Sequence, residues 1–349
     1  MNAPLAVAVR EADLADPREV ARLDAFVADH PDSTLFHRPQ WSLAVERGAG
    51  QRACCLVAER GGILVGALPL TRVRSRLFGD ALVSAGFATG GGIVGEGADR
   101  LAAAASSLAQ RLGSGSVELR GGPLPEGWDR REGVHARFDR ALPGDEKALL
   151  AAIPRRQRAE VRRALGFGLQ VEEGRGEAHR AAHHRVYAES VRNLGTPVFP
   201  RALFDAALDA FGDSGWIVLV SKGGRPLAAM LGFDFKGVAH PYWGGGTAGA
   251  KRWRANDLIY FEVMRRAIAR GCTRADFGRS RVGSGPWKRK RIWDCAETPL
   301  VYGVRAAGGA GARAVDPDSP RYRLQVAAWR RLPLWLANRL GPPIARGLG

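Results

Sequence analysis

Apolar and polar positions along the chain change period repeatedly, and the changes fall into two rounds of similar order. Residues 5–11 alternate, which predicts a short strand, and residues 17–29 follow the helical period. A second short helix is expected over 37–48, with Pro39 near its first turn. The stretch "RACCLVAERGGILVGALPLTRVRS" reads as two strands joined at Gly61-Gly62, a hairpin turn. A strand running into glycines follows ("ALVSAGFATGGGIV"), then an alanine-rich helix, then the strands "SVELRGG" and "VHARFDRAL".

The second round opens with "EKALLAAIPRRQRAEVRRALGFG", a helix interrupted or restarted at Pro154. A strand ("LQVEEG") and two helices ("EAHRAAHHRVYAESVRN", "PRALFDAALDAFG") come next. Three strands then turn at Gly223-Gly224 and near Gly237, followed by a helix over about 255–270 and the strands "TRADFG" and "PLVYGVRA". Both rounds contain helices, a hairpin, a strand ending in three glycines (Gly90–Gly92; Gly244–Gly246), a helix and a strand. Residue identity between them is low. The pattern predicts an α+β protein with two tandem copies of one unit, over 1–144 and 145–305, a flexible connector over 306–320 and a distinct tail over 321–349.

Composition narrows the partners. The chain carries 52 basic residues against 35 acidic ones, a net charge of +17, and six of the basic residues are lysine. A GC-rich genome accounts for arginine over lysine but not for the shortage of acids. An anionic substrate, a polyanion or an anionic membrane surface is therefore favoured. The four cysteines have no CxxC or histidine spacing that suggests zinc, so no metal is expected, and a cytoplasmic location fits them. The N-terminal stretch lacks signal-peptide character, and no 18-residue apolar run is present.

Four stretches carry candidate chemistry. The loop at Gly244, Gly245, Gly246 and Thr247 precedes Lys251, Arg252 and Arg254 and a helix opening near Asn256, an arrangement suited to an anion. A capped helix behind an ordinary turn explains it equally well. Arg155, Arg156, Arg158, Arg162 and Arg163 crowd one helix, with 155, 158 and 162 on one face, and arginine forks suit phosphate oxygens. The stretch "YAESVRNLGTPVFP" places Tyr187 and Thr196 around a stiffened loop. In "ADFGRSRVGSGPWKRKRIW", Asp276 ends a strand before a glycine-rich basic loop, where it either bonds a backbone amide or receives an amine. The histidines form no Ser–His–Asp or metal pattern, so direct transfer onto an amine is the simplest chemistry.

These motifs, with "PYWGGGT" and "ANDLIYFEVMRRAIARG", make residues 35–305 resemble the FemAB-like proteins, and within them the branch associated with exosortase (PEP-CTERM) and exopolysaccharide gene clusters. The resemblance implies two tandem acyl-CoA N-acyltransferase (GNAT-type) domains, the second catalytic. Well-studied members move amino acids from aminoacyl-tRNA to a peptidoglycan precursor, without metal or covalent intermediate. The long helical arm of those members has no counterpart in this sequence, and "GTAGAKRWRAND" only loosely echoes the usual coenzyme A loop. The implied donor is acyl-CoA or, less favoured, aminoacyl-tRNA; the acceptor is a phosphate-bearing saccharide or peptide precursor. The implied roles place diphosphate on Arg155, Arg158 and Arg162, and donor or oxyanion contacts on Gly244–Gly246 and Thr247. Asp276 and Tyr242 orient the amine, with Tyr187, Thr196, Asn256, Arg279 and Lys288 completing the site. A tRNA-dependent ligase, a nucleic-acid-binding protein and a non-catalytic scaffold are the rival readings. The tail mixes tryptophan and leucine with arginine and is either a helix packed on the body or an interfacial anchor.

Overall fold

The structure is a computed structural model that describes residues 6–308 and 320–349. In chain order its strands and longer helices begin with β1 (Val7–Glu11), α1 (Pro17–Asp29), α2 (Pro39–Ala49), β2 (Arg52–Arg60), β3 (Ile63–Ser75), β4 (Gly79–Ser84) and β5 (Val94–Gly95). Then come α3 (Ala98–Leu112), β6 (Ser116–Arg120), β7 (Asp129–Arg131), β8 (His135–Ala141), α4 (Glu146–Ala152), α5 (Arg155–Leu165), β9 (Gln170–Gly174), α6 (Glu177–Leu194) and α7 (Arg201–Phe211). The remainder are β10 (Gly215–Lys222), β11 (Arg225–Phe235), β12 (Val238–Gly246), α8 (Ala255–Ala269), β13 (Arg274–Arg281), α9 (Gly285–Ile292), β14 (Ala296–Pro299), β15 (Tyr302–Ala306), α10 (Pro320–Arg331) and α11 (Leu334–Ala345).

Two mixed sheets, each flanked by helices, repeat one plan. Among the described residues one sheet runs β1-β2-β3-β4-β6-β15-β7, with β5 on β3, and the other β14-β8-β13-β12-β11-β10-β9. In each, an antiparallel run ends in one parallel pair, β4 with β6 and β12 with β13. A helix crosses between the members of each pair, α3 in one unit and α8 in the other, as the parallel connection requires. The fold class expected from the two rounds, two tandem α+β units, is the one observed, and its GNAT-like character is what the resemblance implies.

The expected boundary at 144/145 needs correction. The compact units are Met1–Gly133 with Leu300–Asp316 and Pro343–Gly349, and Val134–Pro299 with Pro317–Pro342. Strand β8, read as the last strand of the first copy, pairs with β13 in the second sheet. Strand β15, read as the last of the second copy, pairs with β6 in the first. Each sheet is thus completed by the strand that follows the other's. The expected connector over 306–320 lies largely outside the described residues.

Each unit has its own core. In the first, Leu56, Leu68, Leu82 and Val117 of the sheet pack on Leu101, Ala105 and Leu108 of α3. In the second, Trp216, Val218, Met230 and Phe277 pack with Val161 of α5 and Leu258 and Phe261 of α8. Across that sheet, Phe204 of α7 meets Trp243 edge-on at 5.0 Å, and Phe211 meets Phe233 at 4.9 Å. Pro154 divides α4 from α5, as expected where its ring leaves no N–H for the helix.

Candidate active site

The second unit's parallel pair is a fork. Strands β12 and β13 are paired only at Val238↔Arg274 and Ala239↔Ala275. His240 and Asp276 are the next residues on each arm, and they meet at the crotch with Nδ1 3.6 Å from Oδ2. Asp276 is 4% exposed. Arg137 Nε of β8 lies 3.0 Å from the same oxygen, and the Gly278 N–H donates to Oδ1 at 2.9 Å. Burial alone would raise this carboxyl. The His240 hydrogen bond, the charges of His240 and Arg137, and the Gly278 N–H together hold it below the usual aspartate value. A carboxylate so held is a poor proton acceptor at neutral pH.

Beside it the chain bulges between Asp276 and Arg279. Gly278 supplies a φ of 66° there, and Lys290 Nζ donates to the carbonyls of Phe277, Gly278 and Arg279 at 2.6, 3.2 and 3.2 Å. Burial pushes this amine down to about 8, against the charge of Asp276. Lys288, the lysine favoured by the sequence, is exposed. Lys290 falls three residues from both Trp287 and Trp293, a helical spacing that marks the inward face of α9.

The glycine triplet serves packing. Gly244, Gly245 and Gly246 are strand residues paired with Met230, Ala229 and Ala228, and not a loop. A Cβ on each would run into Met230 Sδ, Ser190 Oγ and Asn256 Oδ1 respectively. Thr247 spends its N–H (2.8 Å) and its hydroxyl (3.2 Å) on the Leu227 carbonyl. The expected cradle at 244–247 is therefore a close-packed strand end, and the basic residues gather just downstream.

There a cleft of about 450 Å³ opens over the start of α8, lined by Arg156, Glu160, Lys251, Arg254, Asn256 and Arg289 among others. Arg254 holds a left-handed φ of 56° at the helix start and pairs with Glu160 at 2.7 Å. Arg289 pairs with Asp257 at 2.8 Å. Among the described residues Arg156 and Lys251 enter no ion pair, so their charge is left to the cleft and adds to the positive end of α8. Helix α5 buries Gln157, Val161 and Ala164. That stripe puts Arg156 and Glu160 on the cleft flank and Arg155, Arg158 and Arg162 on the other, away from it. Which arginines face the cleft follows from the stripe that is buried.

A second cleft of about 810 Å³ gathers Tyr187, Thr196 and Arg279 with Ser280, Arg281 and Arg330. Tyr187 stacks on His183 and Phe199, and burial followed by the Tyr242 hydroxyl raises its phenol. Tyr242 sits edge-on to Trp243 at 5.0 Å, beside this cleft's Tyr187. The tail packs on the body: a Cβ on Gly195 would strike Val326 of α10, and one on Gly341 of α11 would strike Val198. Leu324, Trp335 and Leu340 remain exposed at 72%, 69% and 43%. Of the expected set, Asp276 lies at the fork, Asn256 in the basic cleft, and Tyr187, Thr196 and Arg279 in this second cleft, while Arg155, Arg158, Arg162, Lys288 and the glycine triplet line none of them; sequence reading passed over His240, Ser280, Lys290 and Arg330.

Residues 153–289 match the acetyltransferase (GNAT) domain family. The match begins at the break before α5 and ends inside α9, so it spans the fork and the basic cleft. No curated protein sequence matches the chain significantly. Among solved structures the chain is similar to FemX at 15% identity and a TM-score of 0.64, covering 81% of this chain and 95% of that one. A tandem GNAT protein from the clavulanic acid biosynthesis pathway, solved without AcCoA, superposes with 11% identity and a TM-score of 0.55, over 88% and 100% of the two chains. L-PGS from Bacillus licheniformis gives 12% identity and a TM-score of 0.54, over 90% and 96%. These likenesses carry the fold, a tandem GNAT fold.

Proposed function

We propose that the protein is an N-acyltransferase whose donor is an acyl-CoA and whose acceptor is an amine on a phosphate-bearing cell-envelope precursor. The carrying observation is the fork: β12 and β13 part after two paired residues, and the helix that follows β12 begins in a basic cleft. Parted parallel strands leave facing backbone N–H and C=O groups for the amides of a donor arm. The donor's diphosphate then lies over the α8 N-terminus against Arg156 and Lys251, in place of Arg155, Arg158 and Arg162. The amine nitrogen bonds to the acyl carbon, the carbon–sulfur bond breaks, and the amine proton ends on the released thiolate. Asp276 positions His240 at the crotch, and Tyr242 beside Tyr187 orients the incoming amine. The resemblance to the exosortase-associated FemAB-like branch points to an exopolysaccharide precursor and a cytoplasmic enzyme.

Thermal unfolding with coenzyme A, a UDP-sugar or aminoacyl-tRNA present tests the donor. Coenzyme A at a hundred times its Kd is expected to add about 2.7 kcal/mol of stability. Stabilisation by aminoacyl-tRNA alone replaces this reading with a tRNA-dependent ligase, and stabilisation by none favours a scaffold.

Contact with an anionic membrane, through exposed Trp335 and Leu340 with the neighbouring arginines, is part of the same proposal. Full-length protein is expected to float with anionic vesicles at low salt and less so at high salt, while a form ending at Pro320 does not. Equal flotation of both forms, or of neither, removes the membrane from the account.

A further inference from the structure

The first unit has a fork of its own, and residues from far along the chain reach it. Strands β4 and β6 pair in parallel at Ala81↔Ser116, Leu82↔Val117 and Val83↔Glu118 and then part. Ser84, the next residue of β4, is buried, and its hydroxyl accepts from the Arg120 N–H at 2.7 Å where a strand carbonyl would otherwise stand. Beyond it Ala85 and Phe87 hold left-handed φ values of 40° and 62°. Residues with a side chain adopt that region only where their surroundings impose it. The chain thus turns sharply out of the sheet at this point.

Residues 343–349 belong to the same unit and close this fork. Arg120 is 4% exposed; its Nη2 donates to the Gly349 carbonyl at 3.1 Å, its Nη1 to the Ala88 carbonyl at 3.5 Å, and its Nε to Glu118 at 2.7 Å. Gln51 is buried as well. Its Nε2 donates to the Arg346 carbonyl at 2.8 Å, and its Oε1 accepts from the Arg74 N–H at 2.9 Å, which fixes the way the amide faces. Two buried side chains thus hold main-chain carbonyls at both ends of residues 346–349, across 295 and 229 positions of sequence. Small residues are required between them. A Cβ on Gly347 would strike Ser75 Oγ, and one on Gly349 the ring of Phe87. Ala345, Gly347 and Gly349 are buried while Arg346 is exposed, so the segment turns its bare edge to the unit and its charge to solvent. Taken away, it would leave Arg120 Nη2 buried without this acceptor, a costly state unless another carbonyl or water replaces it.

We propose that the fork of the first unit is a peptide-binding groove filled in cis, with residues 343–349 as a removable plug and Gln51 and Arg120 as the groups that recognise it. Bonds to main-chain carbonyls supply the affinity, and the bare positions 347 and 349 supply the selectivity, the division of labour usual where a short peptide is held by a folded domain. A segment tethered beside its own groove competes at an effective concentration on the order of millimolar, so a loose peptide of ordinary affinity is kept out. The plug also closes the first fork to a donor arm and leaves the second unit's fork to take it. That consequence rests on the transferase reading; the groove itself does not.

Fluorescence anisotropy with a labelled peptide of residues 343–349 tests the proposal. Two forms have an unfilled groove: a chain ending at Pro342, and full-length Gly347→Val/Gly349→Val, whose segment cannot seat. Both are expected to bind the peptide at least about tenfold more tightly than wild type does. Arg120→Gln or Gln51→Leu, each in the chain ending at Pro342, is expected to weaken that binding by about tenfold. A peptide carrying both valines is expected not to bind. Where an emptied form unfolds more readily, added peptide is expected to raise its unfolding temperature, and that shift then serves as the readout. The groove is overturned if wild type binds the peptide as tightly as the emptied forms, or if neither emptied form binds it or is stabilised by it. Equal binding of the valine-bearing peptide, or of both the Arg120→Gln and Gln51→Leu chains, overturns it too. Coenzyme A titrated into wild type reads the donor separately, with one site per chain expected. Two sites overturn the plug, and none beside intact peptide binding sinks the transferase reading alone.

Discussion

Replacing Arg156 and Lys251 together by alanine is expected to weaken coenzyme A binding by at least about 10²-fold while leaving the unfolding temperature close to that of wild type. Both line the cleft over α8, and neither is committed to a carboxylate, unlike Arg254 with Glu160 and Arg289 with Asp257. Each charge-assisted bond to a phosphate contributes about 1.5–3 kcal/mol, so losing two removes roughly 3 kcal/mol or more. Both side chains are exposed, so their loss leaves no buried partner behind. Titration calorimetry reads the affinity. The matching pair on the other flank, Arg158→Ala with Arg162→Ala, is expected to bind within about twofold of wild type, a surface change of a few tenths of a kcal/mol. A reversed ranking of the two variants returns the diphosphate to the flank first favoured from sequence.

Asp276→Asn is expected to act mainly on stability, at a cost of about 3 kcal/mol. It removes one partner from a buried charge cluster and leaves Arg137 and His240 without their shared acceptor. Breaking such a pair typically costs about 3–5 kcal/mol, and Arg137, whose side chain is 35% exposed, brings this case to the lower end. The pH dependence has a definite sign. The folded carboxyl lies below its ordinary value of 3.8, so its contribution is present above that pH and lost as pH falls towards the folded pKa. Denaturant unfolding of the two proteins should differ fully above about pH 5 and converge below 3.8. A variant with unchanged stability and a transfer rate about 10²-fold slower would instead make Asp276 the proton acceptor.

Much of the fold was legible because periodicity reports burial locally. The hairpin at Gly61-Gly62, the break at Pro154 and the helix over Ala255–Ala269 all follow from short stretches of chain. What escaped depends on residues distant in sequence. Strand β8 alternates like any strand, and nothing in its seven residues says that its neighbours are β13 and β14. The three glycines read as a turn because the residues that demand their smallness, Ser190, Met230 and Asn256, lie elsewhere in the chain. The meeting of His240 with Asp276 rests on a register of two residue pairs. Among the arginines the run itself was plain in the sequence, while that Arg156 and not Arg158 lines the cleft required knowing that Val161 and Ala164 face the core.

The crossed strands also set a timetable for synthesis. As the chain leaves the ribosome, β6 is made early, yet the strand that covers its edge, Tyr302–Ala306, comes some 180 residues later. At about 5–20 residues per second that edge stays open for roughly 10–40 seconds. An uncovered strand edge is a template for wrong pairings, so the N-terminal unit cannot finish first and wait. Its maturation is tied to the arrival of the C-terminal one, whose own sheet takes β8 from the stretch between them. A gene cut at residue 144 would therefore yield two fragments, each carrying a strand that belongs to the other and lacking one of its own.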